Sequence, residues 1–248
     1  FDVVVVGGGH AGCEAAAACA RLGLSTALIT ISQAHLGEMP CNPAIGGIAK
    51  SHLVREIDAM GGIMGELADA CAIQYRRLNT RKGPAVRATR AQIDRALYVA
   101  KMRDLLASLN HLTIIEDEAI SVESGDGAFR ALHTKSGRVI EGERAIITAG
   151  TYLNGLLHVG EEMTEGGIWG VPPSKGLSES LASLGITIGR LKTGTPPRLR
   201  ASSINYDACE EQPGDPVTRQ FSHFGPPPPL PQVSCWLTWT TGEPNTII

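Results

Sequence analysis

The chain has 248 residues, of which 43% are hydrophobic and 19% charged, so it can bury the core of one large domain or two modest ones. That balance excludes a disordered chain, a collagen-like repeat and a coiled coil, and no apolar run reaches the ~20 residues that would place the chain in a membrane. The net charge of −3 conceals a basic segment, because residues 76–104 carry nine Lys or Arg and two Asp.

The first part of the chain has the pattern of a βαβ unit. Residues 2–6 are an apolar, β-branched run that ends in a glycine-rich turn at residues 7–12. An alanine-rich stretch at residues 13–22 follows, with high helix propensity and Gly23 just after its end. Residues 25–31 are again strand-like. Because a crossover of this length joins parallel strands, the sequence predicts a parallel sheet.

The later elements follow from apolar periodicity and turn residues. In chain order we expect a loop at 32–47, a helix at 48–60, a helix at 91–109, a strand at 112–115, an antiparallel meander at 118–141, a buried strand at 144–148 and a helix at 174–184. Ser174 is the candidate N-cap of the last helix.

The composition changes near Thr195, since twelve of the fifteen prolines lie from Pro172 onward. We therefore predict two domains. Residues 1–195 would form an incomplete Rossmann-like α/β domain with a parallel sheet and an antiparallel meander, and residues 196–248 the beginning of an inserted, proline-rich domain. The chain opens directly in a strand-like run and stops in another at residues 246–248, so we expect it to be part of a longer protein.

The six cysteines are scattered, with neither a C-x-x-C pair nor the spacing of metal ligands. In a chain of this length they do not make a disulfide framework. We therefore expect a reducing, cytoplasmic location and no bound metal.

The glycine-rich turn predicts a dinucleotide site. Gly7, Gly9 and Gly12 form a G-x-G-x-x-G pattern directly after a strand and at the start of a helix. In that setting the glycines allow a tight turn and close approach of the backbone to a pyrophosphate, and the helix N-terminus offers N–H groups to it. The acidic residue that usually binds the ribose is missing after the second strand, where the chain has residues 29–33, ITISQ.

Two features favour FAD over NAD. The glycine motif lies at the very beginning of the chain, and a second buried strand returns after the meander and ends in small residues at Ala149 and Gly150. A later strand end of this kind suits the long FAD molecule.

Five sequence blocks, in one order, resemble the MnmG (GidA) family of flavoproteins that modify the wobble uridine of certain tRNAs. They are GGGHAGCEAA at 7–16, CNPAIGG at 41–47, KGPAVRATRAQ at 82–92, GTYLNG at 150–155 and GRLKTGTPPR at 189–198. The resemblance implies addition of an aminomethyl or carboxymethylaminomethyl group to C5 of the uridine, together with the GTPase MnmE. It further implies FAD, NADH as reductant, methylenetetrahydrofolate as one-carbon donor, and a homodimer in the full-length protein.

Cys41 is the candidate catalytic residue. The resemblance places a functionally important cysteine there, and addition to uracil C6 is one role for it; a small thiol that packs the loop is the alternative. We expect the helix that follows to offer its N-terminal amides to the thiol. Asn42, Gly46 and Gly47 are expected to approach the flavin ring with backbone amides, against the alternative of a plain loop-to-helix turn.

The remaining candidate residues are expected to bind either the cofactor or RNA. The cofactor set is Gly7, Gly8, Gly9, His10, Ala11 and Gly12 in the turn, with Ala119 and Ser174 implied by the resemblance and Gly150 at the later strand end. His10 is expected to be a loop side chain and not a catalyst. Arg81, Lys82, Arg87 and Arg90 are expected to contact tRNA phosphates or the anionic parts of FAD, against the alternative of a solvated helix face paired with Asp94 and Asp104.

Two other functions stay open from sequence. One is a generic FAD- and NAD-dependent oxidoreductase that acts on a small molecule. The other is a fragment that binds FAD without turnover, because part of the active site lies elsewhere.

Overall fold

A computed structural model describes residues 1–167, 173–194, 196–216 and 220–240. The helices are α1 (His10–Arg21), α2 (Lys50–Ala59), α3 (Met64–Cys71), α4 (Arg95–Ser108) and α5 (Leu177–Ser183). The strands are β1 (Val3–Val6), β2 (Thr26–Thr30), β3 (Ala44–Gly46), β4 (Ala72–Leu78), β5 (Ala88–Ile93), β6 (Leu112–Glu116), β7 (Ala119–Gly125), β8 (Ala128–Thr134), β9 (Val139–Glu141), β10 (Arg144–Ile147), β11 (Leu156–Val159), β12 (Glu162–Glu165), β13 (Glu210–Gln212) and β14 (Cys235–Leu237).

A parallel sheet with the order β10-β1-β2-β6 forms the centre of the α/β unit. β1 pairs with β2 on one side and with β10 on the other, Val3 lying opposite Thr26 and Arg144. All four valines of β1 are buried, as expected for a parallel strand covered on both faces. The predicted α/β class and parallel sheet are therefore confirmed.

Helix α1 packs closely on this sheet because one of its faces consists of small residues. The buried positions are Gly12, Cys13, Ala16, Ala17 and Ala20, which recur at helical spacing. Cys13 is fully buried, and burial raises the pKa of its thiol to about 12. Cys13 is therefore a residue of the core.

The predicted meander at residues 118–141 is confirmed as the antiparallel sheet β7-β8-β9. A second antiparallel sheet, β3-β5-β4, was not predicted. Residues 44–46, which were expected to belong to the loop at 32–47, form β3. Residues 91–93, which were expected to begin the helix at 91–109, are the last residues of β5. Helix α4 begins at Arg95 because the Asp94 side chain caps it, accepting a hydrogen bond from the Leu97 amide at 3.0 Å.

The segment at residues 220–225 is tied to the core by a buried carboxylate. Asp69 of α3 is 2% exposed and accepts hydrogen bonds from the Tyr75 hydroxyl at 2.5 Å, the Phe221 amide at 2.8 Å and the Ser222 amide at 2.7 Å. Burial raises the pKa of this carboxyl, and the three donors oppose that effect. Phe221, fully buried, packs against Tyr75 in the same core.

The predicted boundary residue Thr195 and the predicted strand at 246–248 lie outside the described residues. The division into two domains therefore stays a prediction. Within the described parts of the chain, none of the helices has the length and apolar character needed to cross a membrane.

Candidate functional site

In the glycine-rich turn between β1 and α1, three glycines leave no room for a side chain. A Cβ on Gly7 would lie 2.5 Å from the Thr148 carbonyl oxygen, and one on Gly8 would lie 2.6 Å from the Thr30 hydroxyl. A Cβ on Gly12 would lie 1.7 Å from the carbonyl oxygen of Gly7. Each of these three positions therefore requires glycine for packing alone.

Gly9 differs, because a Cβ built there meets nothing within 4 Å. It is also the N-cap residue of α1, with extended backbone and no side chain to cap the helix. The amides of the first helical turn have no partner inside a helix and carry the positive end of its dipole. The space above Gly9 therefore fits an anionic group that receives hydrogen bonds from the helix, which is how a pyrophosphate binds.

That space is part of a cavity of about 290 Å³ at the carboxyl ends of β1, β2 and β10. Seven of the predicted cofactor residues line it: Gly7, Gly8, Gly9, His10, Ala119, Gly150 and Ser174. The other lining residues are Val6, Ile29, Thr30, Ile31, Ser32, His35, Glu38, Pro40, Asp117, Thr148, Ala149, Thr151, Tyr152 and Leu177. The crevice at the carboxyl ends of parallel strands is the place where doubly wound folds bind ligands.

Ser174 lines the cavity and connects two neighbouring segments. Its hydroxyl donates to the Ala119 carbonyl oxygen at 3.3 Å, and its amide donates to the Tyr152 carbonyl oxygen at 2.8 Å. The prediction that Ser174 caps a helix is wrong, because α5 begins at Leu177 and its N-cap residue is Gly176. Ser174 thus lies before the helix, and its two hydrogen bonds connect β7 to the 149–155 turn.

His10 lies half-buried at the start of α1, with its ring edge-on to Tyr98 at a centroid distance of 5.7 Å. Its Nδ1 atom is buried and has no hydrogen-bond partner among the described residues. Burial lowers the pKa of the imidazole, so the neutral ring predominates at neutral pH. The ring therefore adds a polar edge, but no fixed charge, to the helix end.

The structure offers an acid that sequence reasoning missed. Glu38 lines the cavity, and its carboxylate is held by Arg95 at 3.0 Å and by the His35 imidazole. The Gly37 amide donates to the Gly8 carbonyl oxygen at 2.8 Å, which brings this loop beside the glycine turn. The ribose-binding acid of the sequence motif is expected directly at the end of β2, whereas Glu38 lies eight residues beyond that strand, in the following loop. The second acid in the cavity, Asp117, is engaged by Ser136 and by the Glu118 amide.

Cys41 lies in the loop between the cavity and β3, directly after the lining residue Pro40. Its side chain is half-buried. β3 and a turn separate Cys41 from α2, which begins at Lys50, so a contact between the thiol and the N-terminal amides of that helix stays a prediction. The carbonyl oxygen of Cys41 accepts a hydrogen bond from the Arg198 guanidinium.

Asn42, Gly46 and Gly47 lie beyond the residues that line the cavity. Gly46 has φ of +85°, and a Cβ there would be 2.3 Å from the Thr89 carbonyl oxygen and 2.7 Å from the Phe221 ring. This position needs glycine in order to pack β3 on β5. A cofactor contact by these three residues, and likewise by Ala11, stays a prediction.

The four predicted RNA-binding cations follow the β4-β5 hairpin. Arg81, Lys82 and Arg87 are exposed and Arg90 is half-buried. The alternative of a solvated helix face does not hold, because the segment is a hairpin loop that leads into β5, and Asp94 caps α4. Within the described residues, none of the four side chains forms an ion pair.

The parallel sheet, the glycine turn at the start of α1 and the cavity above it define a Rossmann-type α/β protein. The particular family follows from sequence comparison. The profile of the family described as "Glucose inhibited division protein A" (GIDA) matches residues 2–248, so the chain belongs to the GidA family.

Relatives and solved structures agree with this membership. The chain is 48% identical over 250 residues to the "tRNA uridine 5-carboxymethylaminomethyl modification enzyme MnmG" of Chlamydia felis, covering 100% of this chain and 41% of the relative. It is also 48% identical to the protein of that name from Geobacter sulfurreducens, covering 100% of this chain and 40% of the relative. Aquifex aeolicus GidA in its form I crystal superposes with a TM-score of 0.94 at 41% identity, over 100% of this chain and 42% of that one. The chain thus spans about 40% of the length of the curated relatives it matches.

Proposed function

We propose that this chain carries the FAD site of a cytoplasmic, flavin-dependent enzyme that modifies the wobble uridine of tRNA. The observation that carries the proposal is the open space above Gly9 at the N-terminus of α1, in a chain 48% identical to relatives named as tRNA uridine modification enzymes. The product would bear an aminomethyl or carboxymethylaminomethyl group on C5. MnmE, NADH and methylenetetrahydrofolate complete the proposed reaction, and the full-length protein acts as a homodimer.

The residues around the cavity fit FAD in three parts. The α1 amides would hold the pyrophosphate above Gly9, without steric conflict from a side chain. Glu38 and the polar groups of residues 30–32 would hold the sugar hydroxyls, since a carboxylate bonded to Arg95 and to the His35 imidazole keeps acceptor sites for further donors. Ala119 and Ser174 form the opposite wall. Bound FAD would supply the electron transfer from NADH that the one-carbon unit requires.

Cys41 would activate the base. Uracil C5 is a poor nucleophile until a group adds at C6. The Cys41 sulfur would add to C6, and C5 would then bond to the one-carbon unit as the C=N double bond between that carbon and its carrier nitrogen gives its π electrons to the nitrogen. Loss of the C5 proton would expel the thiolate and restore the C5–C6 double bond. Pro40, which lines the cavity, places the loop that carries this sulfur at the cavity edge.

The basic hairpin would hold the tRNA backbone. Arg81, Lys82 and Arg87 project into solvent, and Arg90 lies nearer the sheet. Exposed cations that lack an acidic partner within the described chain neutralise phosphates at little cost.

The test uses the full-length protein with wild-type residues and with Cys41→Ser. We expect both proteins to show the absorbance of bound flavin, and only the wild type to restore modified wobble uridine to tRNA from a strain that lacks the gene. Full restoration by Cys41→Ser would remove Cys41 from the mechanism. Flavin binding and NADH oxidation with unchanged tRNA would favour an oxidoreductase of small molecules, and absence of flavin would reject the proposal.

A further inference from the structure

Arg198 reaches the loop of Cys41 from a distant part of the chain. Its Nη2 atom donates to the Cys41 carbonyl oxygen, and the Pro40 carbonyl oxygen lies 3.4 Å from the same nitrogen. The two segments are 157 residues apart in sequence. A contact over this separation does not arise from local chain geometry.

The two sides of the loop are held in different ways. On the C-terminal side, the Ile93 amide of β5 donates to the Pro43 carbonyl oxygen at 2.7 Å, and the Ala44 amide donates to the Asn42 carbonyl oxygen at 2.8 Å. On the N-terminal side, Pro40 offers no amide hydrogen, and neither it nor Cys41 belongs to a strand. The Arg198 guanidinium therefore supplies hydrogen-bond donors to the two carbonyl oxygens that precede these backbone hydrogen bonds in the chain.

The surroundings of Arg198 suit a rigid contact. Pro196 and Pro197 precede it and restrict the backbone from which the side chain extends. A guanidinium is planar, permanently charged and presents several N–H groups in a fixed arrangement, so it can address two successive carbonyl oxygens. A lysine ammonium at this position retains the charge but not that geometry.

We propose that Arg198 is a positioning residue that holds the Pro40–Cys41 backbone, and with it the Cys41 sulfur, at the edge of the cavity. This inference rests on the proposed role of Cys41. It predicts that Arg198 affects the rate of the chemical step while flavin binding and tRNA binding remain intact, because the guanidinium contacts two backbone carbonyl oxygens of the loop, of which only that of Pro40 belongs to a cavity-lining residue.

The experiment compares Arg198→Ala and Arg198→Lys in the full-length enzyme, with Arg190→Ala as the matched control from the same exposed segment. We expect both Arg198 variants to bind FAD as the wild type does and to lose about tenfold to a hundredfold in kcat, with KM for tRNA unchanged. Guanidinium ion at millimolar concentration should restore part of the kcat of Arg198→Ala, and Arg190→Ala should behave as the wild type.

Two other results would overturn the inference. If Arg198→Lys keeps wild-type kcat while Arg198→Ala raises KM for tRNA, the residue binds phosphate by charge. If Arg198→Ala loses FAD together with kcat and guanidinium restores neither, the residue is merely structural.

A second measurement does not depend on turnover. Amide hydrogen exchange in the peptide that contains Cys41 should accelerate about tenfold or more in Arg198→Ala and stay unchanged in Arg190→Ala. Equal exchange in all three proteins would reject the positioning role, even where the wild type proves inactive on tRNA and the proposed function itself fails.

Discussion

Gly9 and Gly12 stand three residues apart in one motif, yet a methyl group would have opposite effects at the two positions. At Gly12 the added carbon would lie 1.7 Å from the Gly7 carbonyl oxygen, so Gly12→Ala must distort the turn, and we expect a loss of about 1–3 kcal/mol in the free energy of unfolding. At Gly9 the carbon meets nothing within 4 Å and the backbone is extended, so Gly9→Ala should fold normally.

The same Gly9→Ala protein should bind FAD about tenfold or more weakly, because its methyl group occupies the space proposed for the pyrophosphate. Thermal unfolding of the ligand-free proteins and flavin titration separate the two effects. Unaltered FAD affinity in Gly9→Ala would show that the cofactor does not lie against the helix end.

His10 gives a pH dependence of known sign. Burial lowers the pKa of the folded imidazole, so between that pKa and the ordinary value of about 6.5 the unfolded chain binds more protons than the folded one. Stability therefore rises with pH through this window and falls on acidification. We expect His10→Gln to lose part of the difference in Tm between pH 7.5 and pH 5.5, and the exposed His158→Gln to keep it. An identical pH profile in all three proteins would contradict the assignment.

Among the individual residues of the cavity, the glycines of the turn could be predicted from sequence, whereas Glu38 could not. The glycine pattern is visible because it lies in consecutive positions between a strand and a helix. Glu38 reaches the cavity through a loop whose course depends on the bond from the Gly37 amide to Gly8, which no local pattern reveals. The Arg198 contact is hidden for the same reason.

Among the elements, α4 shows how a single side chain determines a boundary. The Asp94 carboxylate accepts the Leu97 amide at 3.0 Å and so marks the first turn of the helix. We expect Asp94→Ala to cost about 1 kcal/mol in the free energy of unfolding, as for other N-caps. Asp104→Ala, an exposed position in the same helix, should cost less than about 0.5 kcal/mol. Equal denaturation midpoints for the two variants would indicate that the helix starts elsewhere.

The elements whose apolar residues follow a simple pattern were predicted from sequence. The strands in which charged and apolar residues are mixed were not. β1, β2 and β10 are apolar runs, and the meander has turn residues between short strands, so their type follows from sequence. β4 and β5 carry Arg76, Arg77 and Arg90, which made this segment look like a charged surface and not a sheet. The pairing of β5 with β3 joins residues 44 to 48 positions apart, which local propensity does not detect.

Across the whole molecule, residue 221 connects the late, proline-rich part of the chain to the first core. Phe221 is fully buried against Tyr75, whereas Phe224, three residues on, is 81% exposed. We expect Phe221→Ala to destabilise the protein by about 3–5 kcal/mol and Phe224→Ala to change stability by no more than about 0.5 kcal/mol. Urea denaturation of the two variants provides the comparison, and similar midpoints would mean that the segment does not contribute to the core.

The central position of β1 also affects biosynthesis. One flank of this valine strand, residues 3–6, pairs with residues 144–147, which are translated 141 positions later. The nascent polypeptide therefore carries an unsatisfied, wholly apolar strand edge while the residues between β1 and β10 are being translated, a situation that favours aggregation and slow, non-local folding. A holdase chaperone that shields the emerging valines would raise the yield of native protein, and it would no longer be needed once β10 has docked.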